Sequence, residues 1–230
     1  LEGLLREVEE AGRTLEELGL TIRTFYMGGG TPTTLSAEQL DRLLTACEEA
    51  LPLAGCKEYT VEAGRPDTIT REKLQTLARH GIGRISVNPQ TLEDHVLEAI
   101  GRKHSAEDFR RACGLVFDMD FDCVNMDLIA GLPQDTFEGF GRSLEELLVL
   151  APNNITIHTL ALKKGSRLME REHAGTLPSG EEVVKMLDYS RERLTTEGYI
   201  PYYLYRQKYM SGSLENVGWA KDTFESLYNI

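Results

Sequence analysis

Apolar residues recur at helical spacing through Leu4, Leu5, Val8, Leu15 and Leu18, and predict a helix from Leu4 to Leu18. Thr21 to Met27 is short, rich in β-formers and ends at three glycines, the mark of a strand running into a tight turn. Ser36 then caps a helix to about Leu51, with Glu38 in its first turn and Leu40, Leu43 and Leu44 on one face. Tyr59 to Val61 is the core of a second strand. A helix starts at Thr70, runs through Leu74, Leu77 and Ala78, and stops at Gly81. Ile82 to Val87 is a third strand. Helical spacing returns from about Leu92 to Gly101 and again from Ser105 to about Phe117, where Glu107 and Asp108 suit the helix dipole. Val124 to Ile129 is apolar enough to predict a strand buried on both faces. Phe137 to Leu150 is helical, Ile155 to Leu160 a strand, and Glu181 to Glu197 a last helix closed by Gly198.

About five strands alternating with helices predict a parallel sheet with right-handed crossovers. A closed or partly closed β/α barrel and an open doubly wound sheet both fit that order. The first element is a helix, and in a β/α protein a helix follows a strand. A strand and its loop are therefore expected upstream of Leu1, in keeping with the lack of a starting Met. From Pro201 onward the chain turns Tyr-rich and irregular.

Composition narrows the function classes. Lys plus Arg is 25 and Asp plus Glu is 37 in 230 residues, a formal net charge of −12. Nucleic-acid affinity comes mainly from Lys and Arg, so this balance argues against a nucleic-acid partner. No apolar run approaches the ~20 residues of a membrane span, and the acidic start is unlike a secretory signal. Cys47, Cys56, Cys113 and Cys123 lie far apart in sequence, which predicts neither a disulfide framework nor a local metal clip, but thiols in a reducing cytoplasm.

In a β/α barrel, function sits at the C-terminal ends of strands. The first strand exits into Gly28-Gly29-Gly30-Thr31-Pro32, which suits a structural turn, a phosphate cradle or close approach of another ligand. The second exits at Glu62, either a ligand for an amine or hydroxyl or a solvated partner of Arg65. The third exits into Asn88-Pro89-Gln90, a turn that offers the Gln90 amide. The fourth carries Asp127 inside an apolar run that ends in Gly131-Leu132-Pro133. A buried carboxylate needs a partner, and the turn could present backbone to a flat ligand. Arg102, in Gly101-Arg102-Lys103-His104, is either a solvated helix end or a fork for a carboxylate. His158 reads as a satisfied core histidine.

Taken in order, the Gly28–Pro32 run, Glu62 with Pro66, Gln90, Gly101-Arg102-Lys103-His104-Ser105 and Asp127-Leu128-Ile129-Ala130-Gly131-Leu132-Pro133 resemble the core of oxygen-independent coproporphyrinogen III oxidases. These are enzymes of the radical S-adenosylmethionine (SAM) type. The similarity runs from about Ile22 to Leu160. The later Tyr205-Arg206-Gln207-Lys208 and Glu215-Asn216-Val217-Gly218 resemble the branch called coproporphyrinogen dehydrogenase.

The resemblance implies a partial (β/α) barrel. Residues 1–160 would be the radical SAM core, without its first strand and cluster loop, and 161–230 an extension completing the barrel side and substrate region. It implies SAM contacts from Gly28, Gly29, Gly30, Thr31, Glu62, Gln90, Arg102, Asp127 and Gly131. Arg102 would hold the SAM carboxylate and Asp127 the ribose. It implies a [4Fe-4S] cluster, a tetrapyrrole substrate, a cellular electron donor, a cytoplasmic location, and oxidative decarboxylation of coproporphyrinogen III to protoporphyrinogen IX in haem biosynthesis. Arg206 and Lys208 are candidates to grip its propionates. The family's C-x3-C-x2-C loop does not occur in these residues, so this chain alone is expected to be inactive. A haem chaperone or another radical SAM relative is the near alternative, and a phosphate-binding β/α-barrel metabolic enzyme the distant one.

Overall fold

A computed structural model describes residues 1–161, 177–206 and 214–230. Seven strands form one sheet: β1 (Thr24–Met27), β2 (Glu58–Gly64), β3 (Arg84–Val87), β4 (Cys123–Ala130), β5 (Asn154–Thr159), β6 (Ile200–Tyr205) and β7 (Asn216–Ala220). Their order across the sheet is β1-β2-β3-β4-β5-β7-β6. The first five are parallel and lie side by side in chain order. That order never reverses, so the sheet lacks the switch point of a doubly wound fold and is a partial barrel. Crossovers of one hand place the intervening helices on one face. They are α1 (Glu2–Glu17), α2 (Ala37–Ala50), α3 (Arg71–Arg79), α4 (Asp94–Ala99), α5 (Ala106–Phe117), α6 (Phe137–Leu150) and α7 (Gly180–Thr196).

The helices begin where their side chains can bind their own free N–H groups. Ser36 and Ser105 form capping boxes with Gln39 and Asp108, and Thr70 accepts from Lys73 N–H. Gly81 and Gly198 end α3 and α7 in the left-handed region. On the helix-facing side, Val61, Ile85, Met126, Leu128 and Ile155 are fully buried and join Leu74, Phe109, Phe140 and Leu144 in one core. A smaller cluster of Leu5, Leu43 and Cys47 fastens α1 to α2. Gly12 permits that contact, because a Cβ there would lie 2.1 Å from the Ala50 carbonyl oxygen.

Two expectations change. The strand read as buried on both faces alternates: Met126, Leu128 and Ala130 face the helices, while Asn125, Asp127 and Ile129 are half-buried on the other face. The Tyr-rich segment is not irregular. β7 pairs antiparallel with β5, and β6 pairs antiparallel with β7, so the sheet is mixed. Its curvature is visible in its edges. Tyr26 of β1 and Tyr202, Tyr203 and Tyr205 of β6, from opposite edge strands, line the same cavity. The 3-10 turn Leu227–Asn229 bridges the two edges, with Tyr228 stacked on Tyr26 at a ring separation of 4.6 Å.

Candidate active site at the strand ends

Alternation along the strands decides which groups reach the concave face. β2 contributes Glu62, β3 Ser86, β4 Asn125 and Asp127, and β5 Thr156 and His158. Asn125 Nδ2 donates both to Ser86 Oγ and to Asp127 Oδ1, each at 2.8 Å. Ser86 in turn bonds Asn88 at 2.7 Å. His158 Nε2 lies 3.5 Å from Asp127 Oδ2. Burial works to lower the pKa of His158, but the hydrogen bond and charge of Asp127 override it and raise the value. Asp127 thus has the partner its burial demands, and His158 is half of an acid–imidazole pair, not an isolated core histidine.

Glu62 points toward the glycine turn. Tyr26 donates to it at 3.4 Å, and the Gly29 N–H donates as well. Burial, aided by the nearby negative charge of Asp127, still raises its pKa. Glu62 therefore does not pair with Arg65, which forks onto Asp67 at 3.1 and 2.7 Å. Gly28 is held by packing: a Cβ would meet Tyr26 at 2.5 Å and Glu62 Oε2 at 2.7 Å. Gly29 sits at φ +84, and Gly30 faces open space. Behind the turn, Thr33 donates to the Ala63 carbonyl, and Lys73 ties the Thr33 and Thr68 carbonyls together. Thr31 caps this 3-10 turn and packs toward Gly64.

Gln90 is threaded against β4. Its N–H donates to the Asp127 carbonyl and its own carbonyl accepts from Ile129 N–H. It holds φ +69, a conformation costly for a residue with a Cβ and tolerated where the surroundings fix it. Arg102 is half-buried, and its side chain makes no hydrogen bond or ion pair among the described residues. Burial and the neighbouring Arg65 lower its pKa, while Asp67 and Glu62 act the other way. Its guanidinium is thus within electrostatic reach of Glu62, which is itself in reach of Asp127. Gly131 stands apart: it is buried at φ +85, and a Cβ would meet Val183 of α7 at 3.1 Å. That gives it a packing reason.

The face therefore offers an acceptor (Glu62), a cation with no ion-pair partner among the described residues (Arg102), open backbone at Gly30, and an acid held by an imidazole (Asp127). The set suits a ligand that is zwitterionic at one end and carries hydroxyls at the other. An iron–sulfur cluster is a different matter. The four cysteines are free and separate, and no group of three His, Cys, Asp or Glu that could hold a metal occurs among the described residues. Cys47, Cys113 and Cys123 are buried, and burial pushes their thiols up to about 11, 12 and 11.

Sequence reasoning did not mark Tyr26, Arg84 or the β6 tyrosines as parts of this face, and it placed Ser86 and Asn125 at the third and fourth strand exits without giving them a role. Only the alternation of β3 and β4 could have signalled Ser86 and Asn125. Of the residues proposed to grip propionates, Arg206 is exposed and paired with Glu215 at 2.7 Å, and Lys208 lies outside the described residues.

A mixed, curved half-barrel with helices on one face and a polar array at its strand ends defines a class of barrel enzyme folds. Residues 2–147 match the radical SAM superfamily, and the chain belongs to it. It is 42% identical over 229 residues to an oxygen-independent coproporphyrinogen-III oxidase-like protein, HemZ, of Bacillus subtilis, covering 99% of this chain and 46% of that one. It is 36% identical over 183 residues to the haem chaperone HemW of Lactococcus lactis, covering 79% of this chain and 48% of that protein. The chain spans about half the length of the curated relatives it matches. In fold it matches the coproporphyrinogen III oxidase HemN of Escherichia coli, a radical SAM enzyme, with a TM-score of 0.83 and 24% identity over 98% of this chain and 49% of that one. No described helix is long and apolar enough to cross a membrane.

Proposed function

We propose that this chain forms the SAM-holding face of a protein that oxidatively decarboxylates coproporphyrinogen III to protoporphyrinogen IX without oxygen. The observation that supports it most is the convergence of Glu62, Arg102 and Asp127 at the strand ends, each perturbing the next. In this reading Glu62 and the backbone at Gly28, Gly29 and Gly30, with Thr31 beside them, take the ammonium end. Arg102 forks onto the carboxylate. Asp127, steadied by His158 and Asn125, accepts from the ribose hydroxyls. Gln90 shapes the adjoining wall, and Gly131 takes part only through its packing against α7. SAM held there would supply hydrogen-abstracting chemistry once reduced by one electron from a cellular donor, an electron that no centre among the described residues delivers. The chain's own residues orient it and keep water from the reacting carbon.

The residues described do not fit the [4Fe-4S] cluster. The 230-residue chain is expected to take up no stoichiometric cluster under anaerobic reconstitution. Stoichiometric iron uptake with SAM cleavage would overturn that expectation. Location in the cytoplasm, an electron donor as partner, and residues 161–230 as a substrate-side extension belong to the same proposal.

The likeness to haem chaperones favours a second reading, in which the protein carries haem. The alignment with HemZ reaches through the Tyr-rich C-terminal strands, whereas that with HemW covers 79% of the chain, and this supports the oxidase-like reading. Anaerobic coproporphyrinogen III turnover by the cluster-loaded whole protein, beside a haem titration, separates the two. Protoporphyrinogen IX formation supports the first. Stoichiometric haem uptake without turnover replaces it with the second.

A further inference from the structure

The concave face carries a half-open cavity of about 210 Å³ that runs down from Asp127 and His158, which line its upper end, to Arg84. Its floor is polar, with Ser86, Asn125 and Thr156, and Tyr203 and Tyr205 of β6 wall one side. Arg84 lies at its base and is only 7% exposed. Its guanidinium donates to the Phe224 carbonyl at 3.0 Å and to Asn154 Oδ1, both neutral acceptors. Among the described residues no carboxylate forms an ion pair with it. Glu58, an acid buried at this end, accepts from Thr60 Oγ1 at 3.2 Å, Ser226 Oγ at 2.9 Å and Leu227 N–H at 2.6 Å.

A buried cation without a counter-charge is costly. Two of its five N–H groups are satisfied, which leaves donors for an anion that enters from the cavity. Whole-ligand pockets usually measure ~300–1,000 Å³, so this cavity admits part of a ligand only. A propionate-sized arm and the ring that bears it match its size, its aromatic wall and its cationic base.

We infer that this cavity is a subsite for one carboxylate-terminated arm of a larger, ring-bearing substrate, with Arg84 gripping the carboxylate and the β6 tyrosines flanking the ring. The inference rests on the proposed tetrapyrrole chemistry and adds which part of the substrate is held, and where. Arg84 is paired in register with Cys123, four residues before Asp127 on β4. Its guanidinium reaches Asn154, which is level with Asn125 and two residues short of Asp127, about 7 Å below it at ~3.3 Å per residue. On this inference the arm on Arg84 anchors the substrate, and a different arm reacts beside SAM. Binding energy from such an anchoring arm is what positions the reacting one.

The test uses the purified 230-residue chain and two porphyrin probes, coproporphyrin III and its tetramethyl ester, titrated by Soret absorbance. The expected preference for the free acid is about tenfold or more, the scale of a charge-assisted hydrogen-bonded pair. The net charge of −12 works against anions, so such a preference reports a local cation. Arg84→Gln should abolish the preference and leave SAM binding as in the unsubstituted chain. Tyr203→Leu should weaken both porphyrins alike. Equal affinity for acid and ester, binding of neither, or a preference that survives Arg84→Gln each overturns the inference. SAM binding, measured in parallel, fails or holds independently and reports on the parent reading.

Discussion

Three adjacent glycines in the first strand exit give a matched set in which the same added methyl group has three different consequences. At Gly28 a Cβ would lie 2.5 Å from the Tyr26 ring and 2.7 Å from Glu62 Oε2. The ring is stacked on Tyr228 and is not free to swing away, so the Glu62 carboxylate must give. Overpacking of this kind costs about 1–3 kcal/mol. For a chain of this size that corresponds to a fall of about 2–12 °C in Tm. At Gly29 there is open space but φ is +84, so alanine costs roughly 1–2 kcal/mol of backbone strain. At Gly30 there is neither a neighbour within 4 Å nor a positive φ, so alanine should leave Tm unchanged. Thermal unfolding of Gly28→Ala, Gly29→Ala and Gly30→Ala, with SAM titration of each by calorimetry, reads both consequences. Gly28→Ala should lose stability and SAM affinity together, because it displaces Glu62. Gly30→Ala should keep its stability, and any loss of SAM affinity there would mean that the ligand itself lies against Gly30. A Gly28→Ala variant that melts and binds SAM as the parent does would refute the packing account of the turn.

Asp135 is 5% exposed with one carboxylate oxygen unpartnered, and burial raises its pKa to about 6 against the Thr136 N–H that lowers it. The folded state then binds the proton more tightly than the unfolded one, so stability should fall as pH rises from about 4 to about 6. Asp135→Asn should raise the unfolding free energy at pH 7.5 by an amount on the order of 1–3 kcal/mol that disappears near pH 4, as followed by pH-dependent calorimetry. For His158 the raised folded pKa means that the pair with Asp127 stabilises below the unfolded value of about 6.5 and is lost as pH rises through the folded one. Asp127→Asn should lower that pKa in an NMR titration of the ring, and an unmoved titration would break the assigned pair. Among the thiols, Cys56 is the least buried, so a disulfide reagent at pH 7 should modify it first and reach Cys47, Cys113 and Cys123 only on unfolding.

The parallel half of the sheet was legible because each element announces itself locally. Ser36, Thr70 and Ser105 cap where the helical spacing starts, and Gly81 and Gly198 stand where it stops. The alternation within β4 was obscured because Ile129 on the concave face is as apolar as the residues that face the helices. β6 and β7 were illegible for a related reason. Ile200-Pro201-Tyr202-Tyr203-Leu204-Tyr205 has no period of two, and its pairing with β7, and of β7 with β5, is set by distant partners. At the site, Asp127 was marked by its charge inside an apolar strand, while Glu62 and Arg102 stood out only through the ordered resemblance to the family. Arg84 was not, because an arginine at a strand start looks like any other until the fold shows that no acid is paired with it.

The central claim is that the strand-end face binds SAM through Glu62, Arg102 and Asp127. It is tested most directly by calorimetric titration of the purified chain with SAM, beside Arg102→Gln and Asp127→Asn. The account predicts saturable binding to the parent chain, weakened about tenfold or more in each variant, as expected when a charged hydrogen-bonding group is removed. Absence of binding, or binding that both substitutions leave unchanged, would contradict it.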